Sequence, residues 1–182
     1  DGEAANDRSG YSVSLSSDGT RVAIGAYLND GTDSDAGHVR IYEFSGGTWT
    51  QLGSDIDGEA ANDNSGYSVS LSSDGTRVAI GAPYNDGTSS NAGHVRIYEF
   101  SGGTWSQLGS DIDGEAANDR SGYSVSLSSD GTRVAIGASY NDGTSSNAGH
   151  VRIYEFSGGT WSQLGSDIDG EAANDRSGYS VS

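Results

Sequence analysis

The sequence predicts an all-β fold built from tandem four-stranded antiparallel sheets. Three observations carry that prediction: a 56-residue internal repeat, an apolar period of two, and glycine-centred turns at regular intervals. The segment Asp1-Gly2-Glu3-Ala4-Ala5-Asn6-Asp7 returns at Asp57, Asp113 and Asp169. The 182 residues therefore divide into units at 1–56, 57–112 and 113–168, and 169–182 begins a fourth unit, reaching only its first strand.

Each element of the unit has its own signal. Residues 11–16 alternate Tyr11, Val13 and Leu15 with Ser12, Ser14 and Ser16, which puts the large side chains on one face of a strand. Asp18-Gly19 follows, a pair that suits a tight hairpin turn. Residues 21–26 form the return strand, with Val22 and Ile24 opposite Ala23 and Gly25. Residues 27–37 are polar and contain glycine, so they read as a loop. Residues 38–44 form the third strand. Gly46-Gly47 makes a second tight turn, because glycine reaches positive φ without steric cost. Residues 49–52 form a short fourth strand, and residues 53–66 lead into the next unit.

Four strands in a repeat of this length are the sequence mark of a propeller blade. One such sheet cannot bury both of its faces. Setting the bulky face of one blade on the Ser, Ala and Gly face of the next fills the gap without overpacking. The contact is heterologous, so it closes into a ring or runs on as a filament. The sequence leaves both open.

Gly10-Tyr11-Ser12-Val13-Ser14 and Val22-Ala23-Ile24-Gly25-Ala26 resemble the FG-GAP repeat of integrin-alpha-type β-propellers. Gly81-Ala82-Pro83 matches the family's Gly-Ala-Pro, while Gly25-Ala26-Tyr27 and Gly137-Ala138-Ser139 depart from it. The resemblance implies a propeller that binds a protein or glycan ligand. Many blades of that family carry a calcium loop between their first two strands. Here those connections, residues 16–20, 72–76 and 128–132, each hold one Asp, too few oxygens for calcium.

Composition narrows the partners. Acids outnumber bases 26 to 9, all nine bases are Arg, and the net charge is −17. Such a chain repels nucleic acid and anionic membrane. There is no Cys, hence no disulfide, thiolate metal site or thiol nucleophile. No apolar run reaches the length of a membrane-spanning helix. The chain starts at Asp without Met or a signal-type apolar stretch, which suggests a processed chain or a segment of a longer repetitive one. No Gly-x-Ser-x-Gly elbow with ordered acid and His occurs, and no phosphate loop, so an enzyme is not expected.

Six of the 56 positions vary among the three units, and four of them lie in the loop between the second and third strands. Meander topology puts that loop on the same face as the acidic connection between units. In the first unit this face holds Asp1, Glu3, Asp7, Asp30, Asp33, Asp35 and Asp55. Variation and charge on exposed loops mark a candidate ligand-binding face, made of Tyr27, Leu28, Asp33, Asp35, Pro83, Tyr84, Ser139 and Tyr140. No cofactor is assigned, and calcium is the only one weighed. The carboxylates nearest to a calcium set are Asp30, Asp33 and Asp35 in the loop, and Asp57, Glu59 and Asp63 in the connection. The preferred reading of both is a solvated, capped turn.

His38, His94 and His150 each start a third strand. Metal ligation there would need partners from neighbouring blades, and a backbone-bonded strand end is preferred. Trp49, Trp105 and Trp161 read as covers for the neighbouring sheet rather than sugar platforms. Arg40 shares a strand face with Tyr42 and Phe44, which suggests a packed aromatic–Arg cluster.

Two functions follow. The first is a structural repeat protein of an extracellular or cell-surface fibre, stalk or coat, whose partners are further copies of the same repeat. The second is a closed propeller for adhesion, presenting its acidic loop face to a protein or glycan.

Overall fold

The computed structural model describes residues 2–182, and Asp1 lies outside them. All regular structure in it is β. The first blade contains β1 (Ser12–Leu15), β2 (Arg21–Ala26), β3 (His38–Ser45), β4 (Thr48–Gln51) and β5 (Ile56–Asp57). The second repeats it as β6 (Ser68–Leu71), β7 (Arg77–Ala82), β8 (His94–Ser101), β9 (Thr104–Gln107) and β10 (Ile112–Asp113). The third has β11 (Ser124–Leu127), β12 (Arg133–Ala138), β13 (His150–Ser157), β14 (Thr160–Gln163) and β15 (Ile168–Asp169).

The antiparallel meander runs as expected, with Leu15 opposite Val22, Ala23 opposite Ile41 and Phe44 opposite Trp49. The β1–β2 turn is held by one carboxylate. Asp18 Oδ1 accepts the Thr20 amide at 2.9 Å, the Thr20 hydroxyl at 2.9 Å and the Ser16 hydroxyl at 2.7 Å. Those bonds, the Thr20 amide first, hold its pKa down to about 2.

The fourth strand is longer than its sequence suggested. Leu52 still donates to Ile41 O at 2.8 Å. The chain then bulges over residues 53–55 and returns as β5, with Ile56 opposite Val39 and Asp57 opposite His38. Gly53, at φ 77°, permits the bulge, and a Cβ there would stand 2.8 Å from Trp105 Cδ1 of the next blade. Each blade is thus a four-stranded sheet whose outer strand is broken in two.

Blades pack through unlike faces. Val69, Leu71, Val78 and Ile80 of the second blade bury against Ala23, Val39, Ile41 and Ile56 of the first. Val125, Leu127, Val134 and Ile136 do the same on Ala79, Val95, Ile97 and Ile112. The receiving face is small on β1 and β2, where Ser12, Ser14, Ala23 and Gly25 sit. β3 and β5 supply large residues to it.

The serines of that face bond across the seam. Ser12 Oγ donates to Gly66 O at 2.7 Å, and Ser14 Oγ accepts the Leu71 amide at 3.0 Å. Trp105 Nε1 donates to Leu52 O at 2.8 Å, so this tryptophan covers the neighbouring sheet as expected. Two glycines complete the seam. A Cβ on Gly25 would lie 2.1 Å from Gly66 O, so only bare backbone fits. Gly25 belongs to the Gly-Ala pair of one blade and Gly66 to the Gly-Tyr pair of the next. The motif's two halves therefore meet across the seam.

The start of the fourth unit docks on the third blade by the same contacts. Ser124 Oγ donates to Gly178 O at 2.8 Å, and Asn174 N donates to Ser146 O at 2.9 Å. Residues 180–182 form no strand.

Candidate functional site

The β2–β3 loops and the connections between blades share one face and are bonded to each other. Asn62, Asn64 and Ser65 amides donate to Ser34, Asp35 and Ala36 carbonyls at 2.8, 3.2 and 2.9 Å. Asp63 is buried and accepts Asn85 Nδ2 at 2.9 Å and the Ala60 amide at 3.1 Å. Each connection therefore latches onto the loops of both blades it joins. Burial is the main cause that raises the Asp63 pKa, against the pull of those hydrogen bonds.

The expected carboxylate sets take local roles. Asp30 Oδ1 accepts the Asp35 amide at 2.7 Å, and Asp33 Oδ1 accepts the Ser34 amide at 3.0 Å. Asp57 lies in β5, while Asp63 turns to Asn85. Asp35, Asn91 and Asn147 hold φ near 50°, a left-handed conformation that Asp and Asn tolerate. That explains why this variable position alternates between only those two residues.

Of the candidate ligand-binding residues, Pro83 and Ser139 are buried, so they offer no exposed side chain. Leu28 is partly covered, and its amide donates to Asp7 O at 3.3 Å. Tyr27, Tyr84 and Tyr140 join a cluster that the sequence reading missed. Tyr11, Tyr67, Tyr123 and Tyr179 form a row along the inner edge of the blades, with ring centroids 5.1, 5.0 and 5.1 Å apart. Tyr27 lies 4.5 Å from Tyr11, Tyr84 lies 6.4 Å from Tyr67, and Tyr140 lies 6.1 Å from Tyr123. The tyrosine has moved one position along the loop between the first unit and the others, yet it reaches the same row.

A second variable position answers that move. Asn64 Nδ2 donates to Tyr27 O at 3.3 Å, whereas Arg120 stacks on Tyr84 at 4.8 Å and on Tyr140 at 4.1 Å. Burial first, then hydrogen bonds with Tyr11 and Tyr123, raises the Tyr67 phenol pKa far above its ordinary value.

A third group lies beside the loops. His38, His94 and His150 are buried at the start of β3, β8 and β13. Among the described residues each forms a triad with two carboxylates: Glu3 and Asp55, Glu59 and Asp111, Glu115 and Asp167. The partners come from the same 56-residue unit, not from neighbouring units as the sequence reading supposed. Burial, then the nearby Arg96 charge, pushes the His94 pKa down to about 4. The arginines expected to pack with aromatics do so only in part. Arg96 lies over Tyr98 at 5.6 Å, but it also reaches Glu59 at 3.3 Å and donates to Asp57 O at 2.8 Å. The signal that would have found the tyrosine row is repetition: residues at one level of a repeat must meet as the blades stack.

The FG-GAP repeat family model matches residues 1–42, 55–98 and 111–154. No curated protein matches the chain. Among solved structures, the chain is similar to a Bacteroides uniformis protein assigned as a 6-phosphogluconolactonase, at TM-score 0.59 and 14% identity over 91% of this chain and 42% of that one. It is similar to Saccharomyces cerevisiae Sqt1, at TM-score 0.58 and 14% identity over 92% and 38%. It is similar too to the β-propeller domain of Myceliophteria thermophila Cps50 (Swd1), at TM-score 0.51 and 12% identity over 84% and 37%. At such identities the likeness concerns the fold, and the chain spans about two-fifths of those structures' lengths.

Proposed function

The chain belongs to the FG-GAP repeat family, and from that premise we propose that it is a structural repeat protein of an extracellular or cell-surface assembly, extended by blade-on-blade stacking. One observation carries the reading. The two outer faces of this three-blade stack are the two halves of its internal seams. Val13 and Leu15 are 63% and 61% exposed, while their equivalents Val69 and Leu71 are 9% and 7% exposed. At the other end Ile168 is 58% exposed, against 4% for Ile112. The open face of the first blade holds a groove of about 310 Å³ lined by Ser9, Val22, Ile24, Arg40, Tyr42 and Trp49.

A contiguous apolar face of this kind marks an interaction site. Its occupant is another blade of the same sequence, in the same chain or in a second copy, because the internal seams already use that pairing. Location outside the cell rests on the family and on the acidic, Lys-free composition. No helix among the described residues is long and apolar enough to cross a membrane.

The test is the oligomeric state by light scattering and electron microscopy. The chain should associate with rising concentration, and Val13→Asp with Leu15→Asp should abolish association without unfolding it. A chain that stays monomeric at high concentration sinks assembly from separate copies, and a monomer whose Val13→Asp, Leu15→Asp variant is unchanged in every respect sinks the stacking role of this face.

The tyrosine row favours a second reading, an adhesion module. Seven tyrosines on the loop face, interleaved with Arg120 and Arg176, make an aromatic platform suited to a protein or glycan. Glycan-array binding lost in Tyr67→Ala, with assembly intact, would select this reading.

A further inference from the structure

Each unit buries a histidine that points between two carboxylates and bonds to neither. The His94 side chain is 2% exposed, and its Nδ1 lies 3.9 Å from Glu59 Oε2 and 3.8 Å from Asp111 Oδ2. Both distances exceed hydrogen-bond length. His38 Nδ1 stands 3.9 Å from Glu3 and 3.7 Å from Asp55, and His150 Nδ1 stands 3.6 Å from Asp167. Within each triad all three ligand atoms lie within 4.8 Å of one another.

The carboxylates are held so that one oxygen of each faces the gap. Glu59 gives its other oxygen to Arg96 at 3.3 Å. Asp111 gives its other oxygen to Gln107 Nε2 at 2.6 Å. Glu115 with Arg152 at 3.2 Å, and Asp167 with Gln163 at 2.6 Å, repeat the pattern. Such outer contacts orient the ligands of metal sites. A turn that merely exposes acids to water has no need to aim a buried imidazole and two tethered carboxylates at one point.

We infer that each Glu–His–Asp triad is a site for a divalent first-row transition ion of the zinc type. One imidazole nitrogen and two carboxylate oxygens suit such an ion better than calcium, which takes six to eight oxygens. A tetrahedral ion with bonds of about 2.0–2.1 Å spaces its ligand atoms about 3.4 Å apart, so the histidine–carboxylate distances of 3.6–3.9 Å close by a few tenths of an ångström, while pairs as wide as 4.8 Å close further by side-chain rotation. The fourth position is left to water. The arginine beside the glutamate reduces the net negative charge, which favours moderate affinity over a permanent ion.

Position gives the site its role. Glu59 follows β5 on the crossover from the first blade, whereas His94 and Asp111 belong to the second. The ion would staple the incoming chain to the blade it enters, once per unit. Its ligands are not among the apolar residues of the seam, so assembly and metal binding can be scored with different variants.

The test uses the whole chain freed of metal with a chelator and titrated with Co²⁺, then Zn²⁺ by calorimetry. Expected are the visible absorption of low-coordinate Co²⁺, about three equivalents per chain from the three triads, and a melting temperature that rises with Zn²⁺. His94→Gln and, as the milder change, Asp111→Asn should each remove about one equivalent. Absence of Co²⁺ absorption overturns the inference, as does a stoichiometry that neither variant changes, which would mark diffuse binding to the acidic loops.

Discussion

Leu71 and Leu15 occupy the same place in identical local sequences, and only the stacking of blades distinguishes them. Leu71 is 7% exposed in the first seam, while Leu15 is 61% exposed on the outer face. Replacing Leu71 with Ala removes buried methyl groups and leaves a cavity between rigid sheets, a change that costs about 2–5 kcal/mol. The same replacement at Leu15 leaves no cavity, since water fills the space. At about 0.8 kcal/mol per fully buried methylene, its smaller burial puts the loss at about 1 kcal/mol or less. Urea unfolding of both variants at low concentration, followed by tryptophan fluorescence, measures the difference, because Trp105 lies in the same seam as Leu71. A second series at high concentration adds the assembly test. If another blade covers the outer face, the Leu15→Ala cost grows toward that of Leu71→Ala. Equal costs for the two variants at low concentration would refute the reasoning, since these faces would then not carry the seam.

Gly25→Ala should break the first seam and lower the melting temperature sharply, because its Cβ would stand 2.1 Å from Gly66 O. Gly10→Ala has open space and suffers only its φ of 88°, about 1 kcal/mol, so thermal melts of the pair separate contact from conformation. Stability should fall in acid in two windows. His94 has a folded pKa of about 4 against 6.5, so the unfolded chain takes up its proton first and stability drops from pH 6.5 toward 4. Asp18 and Asp130, held to about 2, add stability that is complete above pH 3.8 and lost as pH falls through 2. Urea midpoints against pH check both, and His94→Gln should shrink the upper window, to which His150 also contributes, and leave the lower one unchanged. Alkaline titration followed at 295 nm should leave part of the tyrosine absorbance unionised well above pH 10, and Tyr67→Phe should shrink that fraction.

How much of this was legible depended on whether a residue's partner lay near it in a regular pattern. The strand order, the Asp18 hairpin and the unlike faces of the seam follow from alternation in residues 11–26. β5 did not, because two residues after the Gly53 bulge carry no periodicity of their own. Tyr11 shares parity with Val13 and Leu15, and that parity read as core. The structure starts β1 at Ser12 and leaves Tyr11 at the rim among its own copies. The triads were hidden by distance. Glu3 and Asp55 stand at opposite ends of one unit, and only closure of the sheet through β5 brings both to His38.

The two internal seams are close copies of each other. Ser12 to Gly66 and Ser68 to Gly122 span 2.7 and 2.8 Å, and Trp105 to Leu52 and Trp161 to Leu108 span 2.8 and 2.7 Å. Near-identical contacts impose nearly the same rotation and shift from blade to blade. The outer faces of the first and third blades are consequently matched in chemistry and also in geometry. A further copy can dock with the hydrogen bonds, glycine contact and apolar burial that the chain already makes twice. Nothing new has to evolve for the stack to grow, and what limits it is the rotation itself. A rotation that returns to its start after four to eight blades gives a ring, as in propellers, and any pitch along the axis gives a filament. The loop face then repeats at the same rotation, so tyrosines and Glu–His–Asp triads appear as rows whose spacing the seam sets. The seam's contacts leave no room for change, which explains why the variation among units concentrates in the loops and leaves the apolar seam residues unchanged.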